Sequence, residues 1–144
     1  MVKAKEFWSF VCNDLGYRFF AGIPCKELKA VYGAMDSSIM HYIPAVNPEV
    51  ALGIASGVWL SGIKSSVVVS TEDLDSMLYV LSSFNRKHKI PVLIILYSED
   101  TAILKSSGIP FIVFDDGFTR LKKSVLGMEK KEVPFVLVIR EEIK

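Results

Sequence analysis

Apolar positions along the chain alternate between two kinds of spacing. Six short runs are almost wholly apolar and rich in β-branched or aromatic residues: Tyr17–Ala21, Met40–Ile43, Ser66–Ser70, Pro91–Tyr97, Phe111–Phe114 and Phe135–Ile139. Runs of this kind predict buried strands. Between them apolar residues recur at helical spacing. Phe7, Phe10, Val11 and Leu15 share one helical face, and Gly16 stands where that helix stops. Further helices are predicted over Lys26–Met35, Pro48–Ser61, Leu74–Lys87, Thr101–Ser107 and Phe118–Leu126. Strands that are apolar throughout are covered on both faces, which implies parallel pairing through crossover helices. Strict alternation of strand and helix implies the same. The expected fold is α/β, a doubly wound six-stranded parallel sheet with helices on both faces. Ligands of such sheets approach the carboxyl ends of the strands. The loops of interest are then Gly22-Ile23-Pro24-Cys25, Pro44 to Glu49, Ser70 to Ser76, Ser98 to Asp100 and Asp115-Asp116-Gly117.

Composition narrows this picture. A chain of 144 residues has the size of one domain, expected over residues 1–144, and can bury a proper core. Hydrophobic residues make up 51%, more than a monomer of this size hides, so a subunit interface and a homodimer are expected. A formal charge of +1 gives no basis for nucleic acid or an acidic membrane as partner. The longest apolar stretch, Ile90 to Tyr97, is too short to span a bilayer. The charged stretch Met1 to Glu6 is not followed by a signal-peptide core, which points to the cytoplasm. Cys12 and Cys25 lack metal-binding or redox spacing and read as reduced thiols. Gly22 does not open a G-x-G-x-x-G turn, and neither a P-loop nor a G-x-S-x-G elbow is present.

Four segments carry a family likeness: Phe20-Ala-Gly-Ile-Pro-Cys-Lys-Glu-Leu28, the stretch from Ile43 to Gly57, Lys89-Ile-Pro-Val-Leu-Ile-Ile-Leu96, and Ser107-Gly-Ile-Pro-Phe111. In order and spacing the chain resembles the pyrimidine-binding (PYR) domain of thiamine-diphosphate-dependent decarboxylases. The likeness is greatest to the small subunit of sulfopyruvate decarboxylase and the matching half of phosphonopyruvate decarboxylase. The resemblance implies a carboxy-lyase component whose cofactor, thiamine diphosphate with Mg²⁺, lies between unlike domains. A separate diphosphate-binding (PP) subunit would then hold the metal and the diphosphate. The PYR side supplies a Glu to the aminopyrimidine ring, and the cofactor supplies the electron sink for loss of carbon dioxide. Carried onto this chain, the catalytic acid is Glu49, and Pro24, Cys25, Pro48, Glu49, Thr71 and Leu74 fall at cofactor-binding positions. No protein metal ligand is implied on this chain.

The sequence departs from the family pattern at this face. The family's Glu position is taken by Pro48, with Glu49 next to it; adjacent helix residues point about 100° apart. Asn47 suits an N-cap and Pro48 the first helical position, where Glu49 would meet the positive end of the helix dipole. After the third strand the family carries a Gln-Asn-Ser-Gly-Leu-Gly-Asn type loop, of which only Leu74 survives in Ser70-Thr-Glu-Asp-Leu-Asp-Ser76. Glu72, Asp73 and Asp75 suit a helix start with Thr71 as its N-cap, and they would repel an anionic 2-oxo acid. Past Tyr97 the family's longer loop is absent. Asp115-Asp116-Gly117 echoes the G-D-G pattern of a PP domain without its later Asn.

Other residues have mainly structural readings. Cys25 at a helix start is a half-buried thiol or one of lowered pKa. His41 reads as a core or interface histidine, and His88 as part of a basic helix cap. Arg120, Lys122, Lys123, Lys130 and Lys131 form a solvated basic face. Ala51, Gly53, Ala55, Ser56 and Gly57 give one helix a small-residue surface for close packing, inside the fold or across a twofold axis. Two functions stand. One is a decarboxylase subunit that works only with a PP partner; the other is a non-catalytic homodimeric relative that binds no cofactor.

Overall fold

The computed structural model describes residues 3–140 and 143. Six strands, β1 Phe19–Gly22, β2 His41–Pro44, β3 Ser65–Ser70, β4 Leu93–Tyr97, β5 Phe111–Val113 and β6 Phe135–Ile139, form one sheet in the order β2-β1-β3-β4-β6-β5. Every neighbouring pair is parallel, as apolar strands joined by helices require. The helices are α1 (Ala4–Ser9), α2 (Lys29–Gly33), α3 (Pro48–Leu60), α4 (Thr71–Val80), α5 (Ala102–Ser107) and α6 (Phe118–Lys130). Wider π-helical turns extend α1 over Phe10–Asp14 and α4 over Leu81–Arg86, and a 3₁₀ turn, Lys26–Leu28, leads into α2.

Alternation along the strands builds two cores. Phe20, Val68, Ile95 and Leu137 face one side, where Phe7, Val11, Val31 and Leu121 from α1, α2 and α6 cover them. Ala21, Val67, Val69, Ile94 and Val136 face the other, under Leu52, Ala55, Leu74, Met77 and Leu104 from α3, α4 and α5. The first core is rich in aromatic contacts: Phe7 meets Trp8 and Phe114 edge-on at 4.9 and 5.1 Å, and Trp8 meets Phe20 at 5.0 Å. The Trp8 indole is satisfied by the Val31 carbonyl, so its burial leaves no polar cost.

At the amino-terminal end of the sheet, the buried Tyr17 hydroxyl donates to Glu129 of α6 (2.6 Å). Lys64 bridges Glu129 (3.0 Å) and the Leu15 carbonyl (2.8 Å), which ties α6 to the turns before β1 and β3. Gly16 takes φ +87° as it ends the first helix, the left-handed geometry expected of it.

Several boundaries differ from expectation. The first strand starts at Phe19, because Tyr17 turns into the core and bonds Glu129. Regular α2 ends at Gly33, and α6 continues to Lys130 beyond the expected Leu126. The fourth helix begins at Thr71, three residues early, and Thr71 is not its cap. Ser70 is: its hydroxyl and backbone N–H both lie against the Asp73 carboxylate (3.3 and 3.4 Å), a capping box that sequence reading displaced by one residue. His41 lies exposed on the edge strand β2, which leaves the interface position and not the core one of the two expected for it.

Candidate functional site

The sheet order reverses direction between β1 and β3: β2 follows β1 on one side, and β3 starts the run on the other. Doubly wound sheets bind their ligands beyond the strand ends at such a point. There lies a cleft of about 540 Å³, lined by Cys25 and Glu27 after β1, Ser70, Thr71 and Glu72 after β3, and Tyr97, Ser98, Glu99 and Asp100 after β4.

Local sequence explains its shape. Gly22 is packed so tightly that a Cβ there would stand 2.2 Å from the Val68 carbonyl oxygen. The next residue, Ile23, donates its N–H to that same oxygen (3.1 Å), so the Gly-Ile-Pro turn leaves the sheet against β3. Tyr32 of α2 donates to the Ile23 carbonyl (3.0 Å) and holds the turn from behind. On the far wall Thr71 donates to the Tyr97 carbonyl (2.9 Å), and the Ser98 N–H reaches Ile139 (3.0 Å).

The cleft is acidic. Glu27, Glu72, Glu99 and Asp100 line it, with no Lys, Arg or His among them. Among the described residues no group of three or more His, Cys, Asp or Glu is placed to hold a metal ion. Cys25 forms part of the wall as a free thiol. Burial raises its pKa above the ordinary value, which overturns the lowered pKa that a helix start suggested. The cleft therefore accepts hydrogen bonds and attracts cations but presents no activated nucleophile. An anionic substrate would need positive charge from elsewhere.

The residues singled out from sequence are not gathered in one place. Cys25 and Thr71 line the cleft. Leu74 is fully buried in the core beneath it. Pro24 lies with Cys25 on a second, more apolar groove of about 450 Å³, completed by Lys26, Lys29, Tyr32, Met35 and Tyr42. Asn47 caps α3 through its side-chain oxygen and the Val50 N–H (2.9 Å), with Pro48 at the first helical position as expected. Glu49 follows in the first turn, exposed, outside both hollows, and its carboxylate has no hydrogen-bond or ion-pair partner among the described residues. Glu27, Ser70, Glu72, Tyr97, Ser98, Glu99 and Asp100 complete the cleft. The loops of Ser70, Glu72, Ser98, Glu99 and Asp100 were foreseen; Glu27 had no signal beyond its place after the Gly-Ile-Pro turn.

The exposed side of α3 is unusual. Val50, Gly53, Gly57 and Leu60 recur at helical spacing and are all exposed, Leu60 at 68%. A Cβ at Gly53 or Gly57 would meet nothing within 4 Å. Within this chain, then, neither glycine serves close packing.

Comparisons with known proteins agree with this architecture. No family model matches the chain. It is 30% identical over 84 residues to the sulfopyruvate decarboxylase subunit alpha of Methanococcus maripaludis, over 58% of this chain and 50% of that one. It is 28% identical over 91 residues to the subunit of that name from Methanothermobacter thermautotrophicus, over 62% of this chain and 54% of that one. The match thus spans about half the length of these relatives. Among solved structures, a 2-oxoglutarate:ferredoxin oxidoreductase from Magnetococcus marinus superimposes with a TM-score of 0.79 at 13% identity, covering 97% of this chain and 29% of that one. Benzoylformate decarboxylase from Polynucleobacter necessarius gives 0.75 at 15% identity, covering 96% and 30%. A Mycobacterium smegmatis protein assigned as a thiamin diphosphate-dependent enzyme gives 0.65 at 11%, covering 99% and 32%. By sequence the chain is similar to the sulfopyruvate decarboxylase alpha subunits over about half their length, and its α/β fold matches that of PYR-type domains.

Proposed function

We propose that the chain is the pyrimidine-side subunit of a two-chain, thiamine-diphosphate-dependent decarboxylase acting on an anionic 2-oxo acid. The observation that carries this reading is Glu49. Its carboxylate stands exposed at the opening turn of α3, held by no other described side chain and free to accept a hydrogen bond from a group brought by another chain. The relatives are named as alpha subunits, which supports a two-chain assembly. In this reading residues 1–144 act as one domain. Glu49 accepts a hydrogen bond from the aminopyrimidine, and the Gly22–Cys25 turn walls the ring. When bound, the cofactor supplies the electron sink for decarboxylation. Mg²⁺, the diphosphate contacts and the positive charge that an anionic substrate needs fall to the PP subunit. The exposed stripe of α3 pairs two copies of this chain, and the assembly works in the cytoplasm.

A second reading is supported by the acidic cleft. With four carboxylates and no cation in its lining, and a capped helix where the family keeps a Gly-containing loop, the domain suits a non-catalytic homodimeric scaffold. One experiment separates the two. Titration of thiamine diphosphate and Mg²⁺ into the chain mixed with a PP-type subunit from the same genome should release heat, and the mixture should decarboxylate 2-oxo acids. Glu49→Gln should lower turnover by about 100-fold or more, the scale of a lost proton-handling group, without changing assembly. No heat and no turnover would leave the scaffold reading.

A further inference from the structure

The groove between α2 and β2 has a composition opposite to that of the cleft. Charge is sorted across the short segment after the Gly-Ile-Pro turn: Glu27 lines the cleft, whereas Lys26 and Lys29 line the groove. These two lysines, three positions apart, are exposed and make no ion pair among the described residues. Between them and the sheet lies an apolar bed of Pro24, Tyr32, Met35 and Tyr42. The two tyrosine rings sit 5.2 Å apart at 55°. Tyr32 is held in place by its hydroxyl, which donates to the Ile23 carbonyl (3.0 Å).

We propose that this groove, which shares only Pro24 and Cys25 with the proposed cofactor face, binds a small organic anion with a flat apolar body, of the arylalkyl carboxylate class. The body rests on Tyr32, Tyr42 and Met35, where burial of apolar surface and ring contacts favour it. The carboxylate lies between Lys26 and Lys29, and charge complementarity selects it over a neutral or cationic analogue of the same shape. A volume of about 450 Å³ falls within the range of small-molecule sites, about 300–1,000 Å³.

The test is an amide NMR titration of the full chain alone with 3-phenylpropionate, 3-phenylpropanol and 3-phenylpropylamine. Saturable shifts at Cys25, Tyr32, Met35 and Tyr42 are expected with the carboxylate, weaker ones with the alcohol and none with the amine. The Lys26→Gln/Lys29→Gln variant, changed only at exposed positions, should bind the carboxylate about tenfold more weakly and the alcohol unchanged. Absent shifts, equal shifts with all three compounds, or carboxylate binding untouched by the lysine changes would each overturn the proposal. Neither cofactor nor PP subunit is present, so its failure would be distinguishable from failure of the decarboxylase reading.

Discussion

At the scale of single residues, the chain's most constrained position is Gly22. Its missing side chain lets the turn leave β1 against the Val68 carbonyl, where a Cβ would sit at 2.2 Å. Gly22→Ala should lower stability by about 2–3 kcal/mol, because the contact is with backbone and cannot rotate away. Urea unfolding monitored by far-UV circular dichroism would measure it. Tyr17 gives a pH signature. Burial, then the Glu129 carboxylate beside it, pushes its hydroxyl well above the ordinary range. The folded state therefore holds this proton more tightly than the unfolded chain does. The associated stability is fully present below about pH 10 and is lost as pH climbs past that value. The melting temperature should fall above about pH 10, and Tyr17→Phe should make that fall shallower. Raised values at Tyr32 and Tyr42, both chiefly from burial, should keep some of the slope. Sequence spacing marked Gly22 and Glu49, since a family motif surrounds each. It could not mark Glu129 as the partner of Tyr17, because 112 positions separate them and only the fold brings them together.

At the scale of elements, the strands and crossover helices were legible because both cores impose a period on the sequence. Every expected strand is present, shifted at most two residues at its start. Helix openings were harder, since several neighbouring polar residues could each serve as cap. The Asn47 cap was legible because Pro48 fixes the first helical residue. At Ser70-Thr71 both hydroxyls qualify; what decides is Asp73, which stands three residues after Ser70 and so completes a reciprocal pair with it. Asn47→Ala and Ser70→Ala should each cost about 1 kcal/mol by chemical denaturation. The groove was not legible at all. Its walls come from a turn, a short helix and an edge strand whose side chains have no common spacing.

At the scale of the whole molecule, the high apolar content that pointed to a subunit interface has a visible counterpart in exposed Val46, Val50, Leu60, Ile63 and Tyr79. The glycines of α3 make the proposed pairing testable without loss of fold. Gly53→Leu puts a side chain into open space on a single chain, and leaving Gly favours a helix by up to about 1 kcal/mol. The variant should thus melt no lower than wild type when dilute, yet sediment as a monomer where wild type sediments as a dimer. Two dimers of equal affinity would refute pairing through this face.

The direct passage from β3 into α4 has a consequence for how the cleft can work. Ser70 is at once the final strand residue and the helix cap, so no slack chain exists on that wall. Such a wall cannot swing shut over a bound molecule in the way a flexible lid does. Any enclosure of a molecule bound in the cleft must come from the segments after β1 and β4 or from a further protein segment. Selectivity on this side can then change only by exchange of one side chain for another.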